Sequence, residues 1–281
     1  MTRHRKSGPT KSQIGRANSA TPKTTAVNFS DPPRQQRNVG LARAISKMGY
    51  CSRSRAEDAI RAGRVRINGA VKTNVEAPVH LGKDRIEIDG HEIKKAEKIY
   101  LMLNKPRGVV TTTSDERGRE TIYSFLDKYN DGSLNWVAPV GRLDKASEGL
   151  LLITNDSEWA AKITAPDTDV DKIYHVQIAR QATPVMIEKL KRGFTVKDGE
   201  FLGVKRAGVI RSGERNCWVE IVLDEGRNRH IRRMFETIGI EVLRLIRVAI
   251  GELKLGDLPK GEVRALSEQE RLLLFRKANE D

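Results

Sequence analysis

The segment that most restricts what this chain can fold into places a carboxylate, Asp144, just after a Gly-Arg turn and ahead of an apolar run. The segment places a Gly-Arg turn between two apolar stretches and reads VGRLDKASEGLLLITND over residues 140–156. Trp136 to Val140 is predicted to form one strand and Leu150 to Ile153 a second, buried strand, because turn residues bound both apolar runs. Asp144 is therefore expected on a loop between two strands, where a carboxylate either caps local backbone or performs chemistry.

Four further motifs accompany this segment along the chain. They read LNKPRGVV at residues 103–110, KIYHV at 172–176, EGRNRHIRRM at 225–234 and LPKGEVRAL at 258–266. Together with the first, they closely resemble the signature of the ribosomal-RNA pseudouridine synthases, which modify single uridines in small- or large-subunit rRNA. In that family the aspartate of the first motif is catalytic, so the resemblance makes Asp144 the catalytic residue.

The preceding part of the chain has the pattern of a small helical module with a hairpin. One helical face is formed by Leu41, Ala44, Ile45 and Met48. Ser54 and Glu57 have capping-box spacing at the start of a second helix, and Asn68-Gly69 predicts a tight primed turn. The segments CSRSRAE at 51–57 and GRVRING at 63–69 resemble the RNA-binding module first known from a small-subunit ribosomal protein.

Net charge is concentrated near the N-terminus of the chain. The whole sequence carries a formal charge of +14, and half of it comes from residues 1–38, which hold eight Lys or Arg and one Asp. Such an excess attracts the phosphates of a nucleic acid. The same residues include few large apolar side chains, so we predict a disordered basic arm. Its acid-poor composition leaves an organelle transit segment open, with a mature chain beginning near Asp31.

Several classes of protein are disfavoured by the sequence. We find no apolar window long enough to span a membrane and no secretory signal, so the chain is predicted to act in the cytoplasm. Its two cysteines, Cys51 and Cys217, and its five histidines lack metal-ligand spacing. Walker-type and Rossmann glycine patterns do not occur either. We therefore expect neither a metal nor an organic cofactor.

The resemblance implies a reaction that one carboxylate can perform. Pseudouridine formation breaks the bond between ribose and the uracil nitrogen, turns the base and rejoins it through carbon. Asp144 can attack the anomeric carbon, attack the uracil ring or remove a sugar proton, and the sequence leaves these three routes open. Each route requires an ionised carboxylate. Because burial disfavours charge, a cation is expected close to Asp144.

Arg232 is the predicted partner cation. An apolar stripe runs along a helix predicted from about Arg229 to Ile238 and contains Ile231, Met234, Phe235 and Ile238. Arg232 falls at the margin of this stripe, where a half-buried guanidinium can form a fixed hydrogen-bonded pair with Asp144. The resemblance points to the same arginine. It also assigns Tyr174, at the start of a strand, to packing against the target uracil.

Eight basic side chains are predicted to contact RNA rather than to take part in the reaction. Four follow the family motifs, Arg142, Lys105, Arg227 and Arg229, and four lie on the small module, Lys47, Arg53, Arg55 and Arg64. Glu148 follows Asp144 by four residues, which suggests a pair of catalytic carboxylates. If the two lie one helical turn apart on the same face, however, a structural hydrogen bond or ion pair is favoured for Glu148. Lys145-Ala146 and Asn228-Arg229-His230 depart from the family pattern, which leaves the target uridine open.

These observations predict an α+β protein of three parts. They are the disordered basic arm (1–38), a small helix-rich RNA-binding module (39–93) and a catalytic domain (98–281). The resemblance implies that this domain is built on a mixed, mostly antiparallel sheet. The predicted protein is a monomer that isomerises one uridine of ribosomal RNA, free or in a pre-ribosomal particle, with large-subunit rRNA as the first target. Small-subunit rRNA and a noncatalytic ribosome-assembly factor are the alternatives.

Overall fold

The fold is that of a computed structural model, which describes residues 38–112, 117–126, 136–165, 168 and 170–275. The predicted basic arm lies outside these residues except for Asn38. Two short helices and small sheets come first along the chain, and a large mixed sheet with its own helices follows. The α+β prediction is therefore confirmed. No helix within the described ranges combines the length and apolarity needed to cross a bilayer.

The N-terminal module combines two helices with a four-stranded sheet. Its helices are α1 (Leu41–Lys47) and α2 (Arg53–Arg61), and its strands are β1 (Val39–Gly40), β2 (Val65–Ile67), β3 (Ala70–Lys72), β4 (Pro78–Val79), β5 (Ile86–Ile88) and β6 (His91–Glu92). The sheet order is β3-β2-β5-β6, and β1 pairs with β4. Asn68 and Gly69 have φ values of 51° and 82°, as a type I′ turn requires, so the predicted hairpin is confirmed.

The start of α2 differs from the prediction. The residue that caps the helix is Ser52, whose Oγ accepts a hydrogen bond from the backbone N–H of Arg55 at 3.2 Å. Ser54 lies inside the first turn. The carboxylate of Glu57 is taken by Arg53 and Arg61, which stand four residues away on either side and reach it across the helix surface. The capping box predicted from Ser54 and Glu57 is therefore wrong.

The second part of the chain is built on a nine-stranded sheet. Its strands are β7 (Tyr100–Lys105), β8 (Ala138–Pro139), β9 (Glu148–Thr154), β10 (Lys172–Ile178), β13 (Arg206–Ser212), β14 (Cys217–Leu223), β15 (Val242–Ile250), β16 (Leu253–Lys254) and β17 (Val263–Ala265). A separate pair joins β11 (Phe194–Thr195) to β12 (Phe201–Leu202). The helices are a 3₁₀ turn (Ile122–Phe125), α3 (Ser157–Thr164), α4 (Pro184–Arg192), α5 (His230–Thr237) and α6 (Glu268–Leu273).

The nine-stranded sheet consists of two antiparallel halves. Its order is β13-β14-β10-β15-β9-β7-β17, with β16 on β15 and β8 on β9. Strands β15 and β9, where the halves meet, run parallel, and the other neighbours are antiparallel. The predicted mixed, mostly antiparallel sheet is confirmed.

Strand β9 is buried on both of its faces. Leu150 and Leu152 pack into one hydrophobic cluster, whereas Leu151 and Ile153 pack into another on the opposite side. A strand covered on both faces needs apolar residues at every position, which accounts for the uninterrupted run in the sequence. The strand predicted at residues 136–140 is shorter than expected and contains only Ala138 and Pro139.

The parallel pair of β9 and β15 forms a short seam between the two halves. Ile246 pairs with Glu148, and Arg247 pairs with Gly149. Arg244 crosses the seam with two 3.0 Å hydrogen bonds to the Glu148 carboxylate. Arg247 crosses it with a 2.8 Å bond from Nε to the carbonyl oxygen of Leu150. Side chains from β15 therefore reinforce a pairing that has few backbone contacts of its own.

Replacing Gly149 by Ala should lower the free energy of unfolding by about 3 kcal/mol. Gly149 has a φ of 101°, and a Cβ there would lie 2.3 Å from the carbonyl oxygen of Arg247, so the two strands would have to separate. Chemical denaturation measures the effect. Gly256→Ala is the matched control, because Gly256 also has a positive φ of 61° but faces open space. Equal losses in the two variants would show that the close approach has no cost.

Candidate active site

The loop from Leu143 to Ser147 carries Asp144 and is held through each of its five carbonyl oxygens. Because these acceptors are consecutive, the loop has little freedom to rotate about its backbone. The carbonyl oxygen of Leu143 accepts from Thr111 Oγ1 at 2.8 Å, and that of Asp144 accepts from Ser147 N at 2.9 Å and Lys105 Nζ at 3.3 Å. The carbonyl oxygen of Lys145 accepts from Gly108 N at 2.7 Å. Those of Ala146 and Ser147 accept from Arg232 Nη2 at 2.8 Å and Lys105 Nζ at 2.9 Å, respectively. The position of Asp144 is thus fixed by other parts of the chain.

Lys105 is buried against this loop and holds it through hydrogen bonds. Its side chain has no solvent-exposed surface, and its ammonium donates to the carbonyl oxygens of Pro106, Asp144 and Ser147. Burial lowers the pKa of Lys105 to about 8, although the charges of Asp144 and Glu148 act in the opposite direction. The predicted phosphate contact is wrong, because the three hydrogen bonds use all three donors of the ammonium.

Arg232 lies beside Asp144 but does not form the predicted hydrogen-bonded pair. Its guanidinium donates to the carbonyl oxygens of Ala146 and Val242, at 2.8 and 3.4 Å. Burial lowers the pKa of Arg232, the neighbouring Arg229 lowers it further, and the charge of Asp144 opposes both. The two groups therefore interact through space. Arg232 is half buried at the margin of the α5 stripe, as predicted, and its direct contact is with the loop backbone.

Asp144 and Tyr174 open into one cavity of about 290 Å³. Asp144 is half buried, and Tyr174 lies on β10, where it packs at the edge of two hydrophobic clusters. The pairing of β10 with β15 shifts register beside Tyr174, since Ile173 pairs with Ala249 but Tyr174 pairs with Arg247. Such an irregularity changes the direction of the neighbouring side chains. The cavity thus combines a carboxylate, an aromatic ring and enough volume for a pyrimidine nucleotide.

Three of the predicted RNA contacts line the same cavity. Arg142, Arg227 and Arg229 are all exposed. Arg227 is already paired with Glu225 and Glu200, each at 2.7 Å, which reduces its attraction for phosphate. Arg142 and Arg229 have no such pair among the residues that the structure describes. Arg107, which sequence reasoning did not select, contributes a further positive charge beside Arg232.

The four cations predicted on the small module differ in their availability. Lys47 forms a 2.7 Å ion pair with Glu158 of α3 and so joins the module to the catalytic part. Arg53 pairs with Glu57 and Glu76, and Arg64 pairs with Asp89. Arg55 is exposed, and no described carboxylate lies within ion-pair distance of it. Arg55 is therefore the most available of the four for phosphate.

Glu148 serves the seam of the sheet and is not the second member of a carboxylate dyad. It is the first residue of β9, so the helical turn assumed for it is wrong, but the expected ion pair is confirmed by contacts with Arg244 and Lys260. Burial raises the pKa of Glu148, but hydrogen bonds from these two cations outweigh burial and leave it below its ordinary value.

Sequence reasoning missed two cavity residues, Lys172 and Arg247. Both are at least nine-tenths buried and line the cavity with Asp144 and Tyr174. The signal was present, since Arg247 stands at an inward position of a mostly apolar strand that reads VLRLIRVAI. An unpaired charge in such a position is costly and therefore indicates a site.

Comparison with known proteins places this geometry in a family. The model of the RNA pseudouridylate synthase family matches residues 99–237, and that of the S4 domain matches residues 39–86. The ribosomal large subunit pseudouridine synthase B of Bacillus subtilis is 35% identical over 231 residues, which cover 82% of this chain and 93% of that protein. The protein of the same name from Salmonella typhi is 38% identical, over 79% of this chain and 75% of its own length.

A crystal structure of a pseudouridylate synthase agrees with these sequence matches. It superposes with a TM-score of 0.60 at 30% identity and covers 84% of this chain and 99% of its own. The family predicted from the five motifs is confirmed. With an S4 domain ahead of its catalytic part, the chain belongs to the RNA pseudouridylate synthases.

Proposed function

We propose that this protein isomerises a specific uridine of large-subunit ribosomal RNA to pseudouridine, with Asp144 as the catalytic carboxylate. The observation that carries the proposal is the fully held loop that presents Asp144 to a cavity shared with Tyr174. The uridine leaves its stack to enter the cavity, and the ring of Tyr174 replaces the lost stacking. The names of the relatives from Bacillus subtilis and Salmonella typhi support the large subunit as the target.

The remaining parts of the protein are assigned to binding the RNA and to positioning the Asp144 loop. Arg232 positions the Asp144 loop and adds positive charge beside the carboxylate. Arg142, Arg227 and Arg229 contact the RNA backbone at the mouth of the cavity. The module of residues 39–93 supplies affinity and register, and the domain of residues 98–281 supplies the chemistry. The protein acts as a cytoplasmic monomer on rRNA or a pre-ribosomal particle.

The test is to incubate the protein with transcripts of both rRNA subunits and to map pseudouridine chemically. We expect one strong mark in the large-subunit transcript, and no mark when Asp144 is replaced by Asn. A mark confined to the small-subunit transcript would refute the proposed target but keep the reaction. Binding without any mark on either transcript or on pre-ribosomal particles would identify a noncatalytic factor and refute the proposal.

Replacing Arg55 by Ala should weaken RNA binding about threefold to tenfold and make the dependence of log Kd on log salt shallower by about one. Arg55 has no described acidic partner, so its whole charge is available to a phosphate. Filter binding at several salt concentrations measures both quantities. Arg64→Ala is the control, because Asp89 already holds that guanidinium. A larger loss for Arg64→Ala than for Arg55→Ala would contradict the assignment.

A further inference from the structure

Two buried cations, Lys172 and Arg247, form part of the wall of the cavity and have no role in the proposal above. Lys172 is 9% exposed and Arg247 is 5% exposed. Lys172 and Tyr174 are two residues apart on β10, so their side chains leave the same face of the sheet. Arg247 is the direct partner of Tyr174 on β15 and shares that face. The two cations therefore flank the aromatic ring.

Neither cation forms an ion pair with a carboxylate among the described residues. The ammonium of Lys172 donates to the backbone oxygen of Asp224 at 3.0 Å, and Nε of Arg247 donates to the backbone oxygen of Leu150 at 2.8 Å. No described carboxylate oxygen lies within 4 Å of either one, and the buried Asp171 is held by Lys205 at 2.9 Å. Burial and then the charge of Arg247 lower the pKa of Lys172, whereas the charges of Asp224 and Asp171 act in the opposite direction with smaller effect. The two cations therefore repel each other.

Arg247 also has a buried donor without an acceptor. Its Nη2 atom is shielded from solvent and makes no hydrogen bond with any described residue. A buried donor in this condition is destabilising unless a ligand supplies an acceptor. Arg247 lines the cavity, so a ligand bound there can supply the missing acceptor.

We propose that Lys172 and Arg247 bind the carbonyl edge of the target uracil and stabilise the negative charge that the ring acquires during the reaction. The proposal deepens the proposed function and rests on it. A neutral carbonyl satisfies the free donor of Arg247, and an anionic ring in addition attracts both cations. Positive groups fixed in a desolvated cavity stabilise developing charge with little reorganisation.

The electron count explains why a cation pair is useful whichever route Asp144 takes. In the two routes that begin at the sugar, the C1′–N1 bond breaks and its electron pair passes to uracil, where N1, O2 and O4 share it. In the route that begins at the ring, the carboxylate adds to C6 and the displaced pair reaches C5 and O4. In each case the C1′–N1 bond breaks, C5 becomes bonded to C1′, the C5 proton is lost and N1 takes up a proton. The Asp144 carboxylate then leaves the atom it attacked, or returns the proton it took from the sugar, so the atoms balance.

The first test compares two nucleotides by isothermal titration calorimetry. Uridine monophosphate has a neutral ring, whereas 6-hydroxyuridine monophosphate has the same phosphate and a ring that is anionic at neutral pH. We expect the wild-type protein to bind the anionic nucleotide at least about tenfold more tightly. Equal affinities in the wild-type protein would overturn the proposal, and this comparison needs no variant to fold.

The variants Lys172→Met and Arg247→Met should each reduce this preference to about threefold or less, and Arg247→Lys should keep part of it. Arg211→Met is the matched control. It removes one positive charge from an exposed arginine that lies over Trp218, and it should leave the preference unchanged. Loss of the preference in Arg211→Met as well would attribute it to net charge and overturn the assignment.

The second test measures the rate of pseudouridine formation in a single turnover with enzyme in excess over RNA. Arg247→Met should slow this rate about 100-fold or more and change the Kd for RNA less than about threefold. A purely structural role would instead lower the melting temperature and leave the nucleotide preference intact, which would refute the proposal.

If wild type forms pseudouridine and both Met variants keep its rate and preference, the inference fails while the proposed function stands. If wild type forms none, the proposed function fails.

Discussion

Asp144→Asn should abolish pseudouridine formation, with a single-turnover rate at least about 10³-fold below that of the wild-type protein. Asparagine has nearly the same shape as aspartate but no negative charge, and every route open to Asp144 needs an ionised carboxylate. The loop should keep its position, because its five carbonyl oxygens are held by groups that the substitution leaves in place. Both the Kd for rRNA and the melting temperature should therefore stay close to those of wild type.

Asp257→Asn is the matched control for this experiment. Asp257 is exposed and does not line the cavity, so the same chemical change there should leave the rate unaltered. A single-turnover assay with chemical mapping of the product gives the rate, and filter binding gives the Kd. Residual activity of Asp144→Asn above about one hundredth of the wild-type rate would show that another group performs the chemistry.

Lys105→Met should slow the reaction about 10- to 100-fold and lower the free energy of unfolding by about 2 kcal/mol. The substitution removes donors from three carbonyl oxygens, two of which belong to the loop that carries Asp144. The Kd for RNA should change little, because Lys105 is buried. Exposed Lys254→Met is the control and should behave as wild type. A loss of RNA affinity without a loss of rate would instead support the phosphate contact predicted from sequence.

The stability difference between wild type and Lys105→Met should also depend on pH. Burial lowers the pKa of Lys105 from 10.5 in the unfolded chain to about 8 in the folded protein. Between these values the unfolded chain binds more protons, so this group makes the folded state more stable as the pH rises from about 8 towards 10.5. Denaturation across this window should show the difference widening by on the order of 2 kcal/mol. A constant difference would mean that the ammonium keeps its proton.

The sequence identified which residues gather at the site better than it identified their contacts. Asp144, Tyr174 and Arg232 come from three distant motifs and meet within one region, as the resemblance implied. The predicted contacts of Lys105 and Arg232 were wrong for a common reason. Both cations donate to backbone carbonyl oxygens of the Asp144 loop, and every residue has such an acceptor, so no sequence pattern marks it.

Local patterns were reliable where a single element determined them. The Asn68-Gly69 turn and the apolar stripe of α5 depend on a few neighbouring residues, and both were confirmed. The predicted cap of α2 was wrong because Ser52 and Ser54 are both suitable capping residues, and the helix begins directly after Ser52.

The sequence by itself determined the family, the mixed sheet, the small N-terminal module and the aspartate of the proposed reaction. The small module follows from local periodicity and turn residues. The family, the mixed sheet and the aspartate follow from the resemblance of five motifs, each of which consists of neighbouring residues. Only the tertiary structure decided that Lys105 is buried beneath the Asp144 loop, that Glu148 reinforces the parallel seam and that Lys172 and Arg247 face the cavity. The physical reason is that burial and charge pairing depend on segments up to about a hundred residues apart, such as Glu148 and Arg244, which the chain brings together only when it folds.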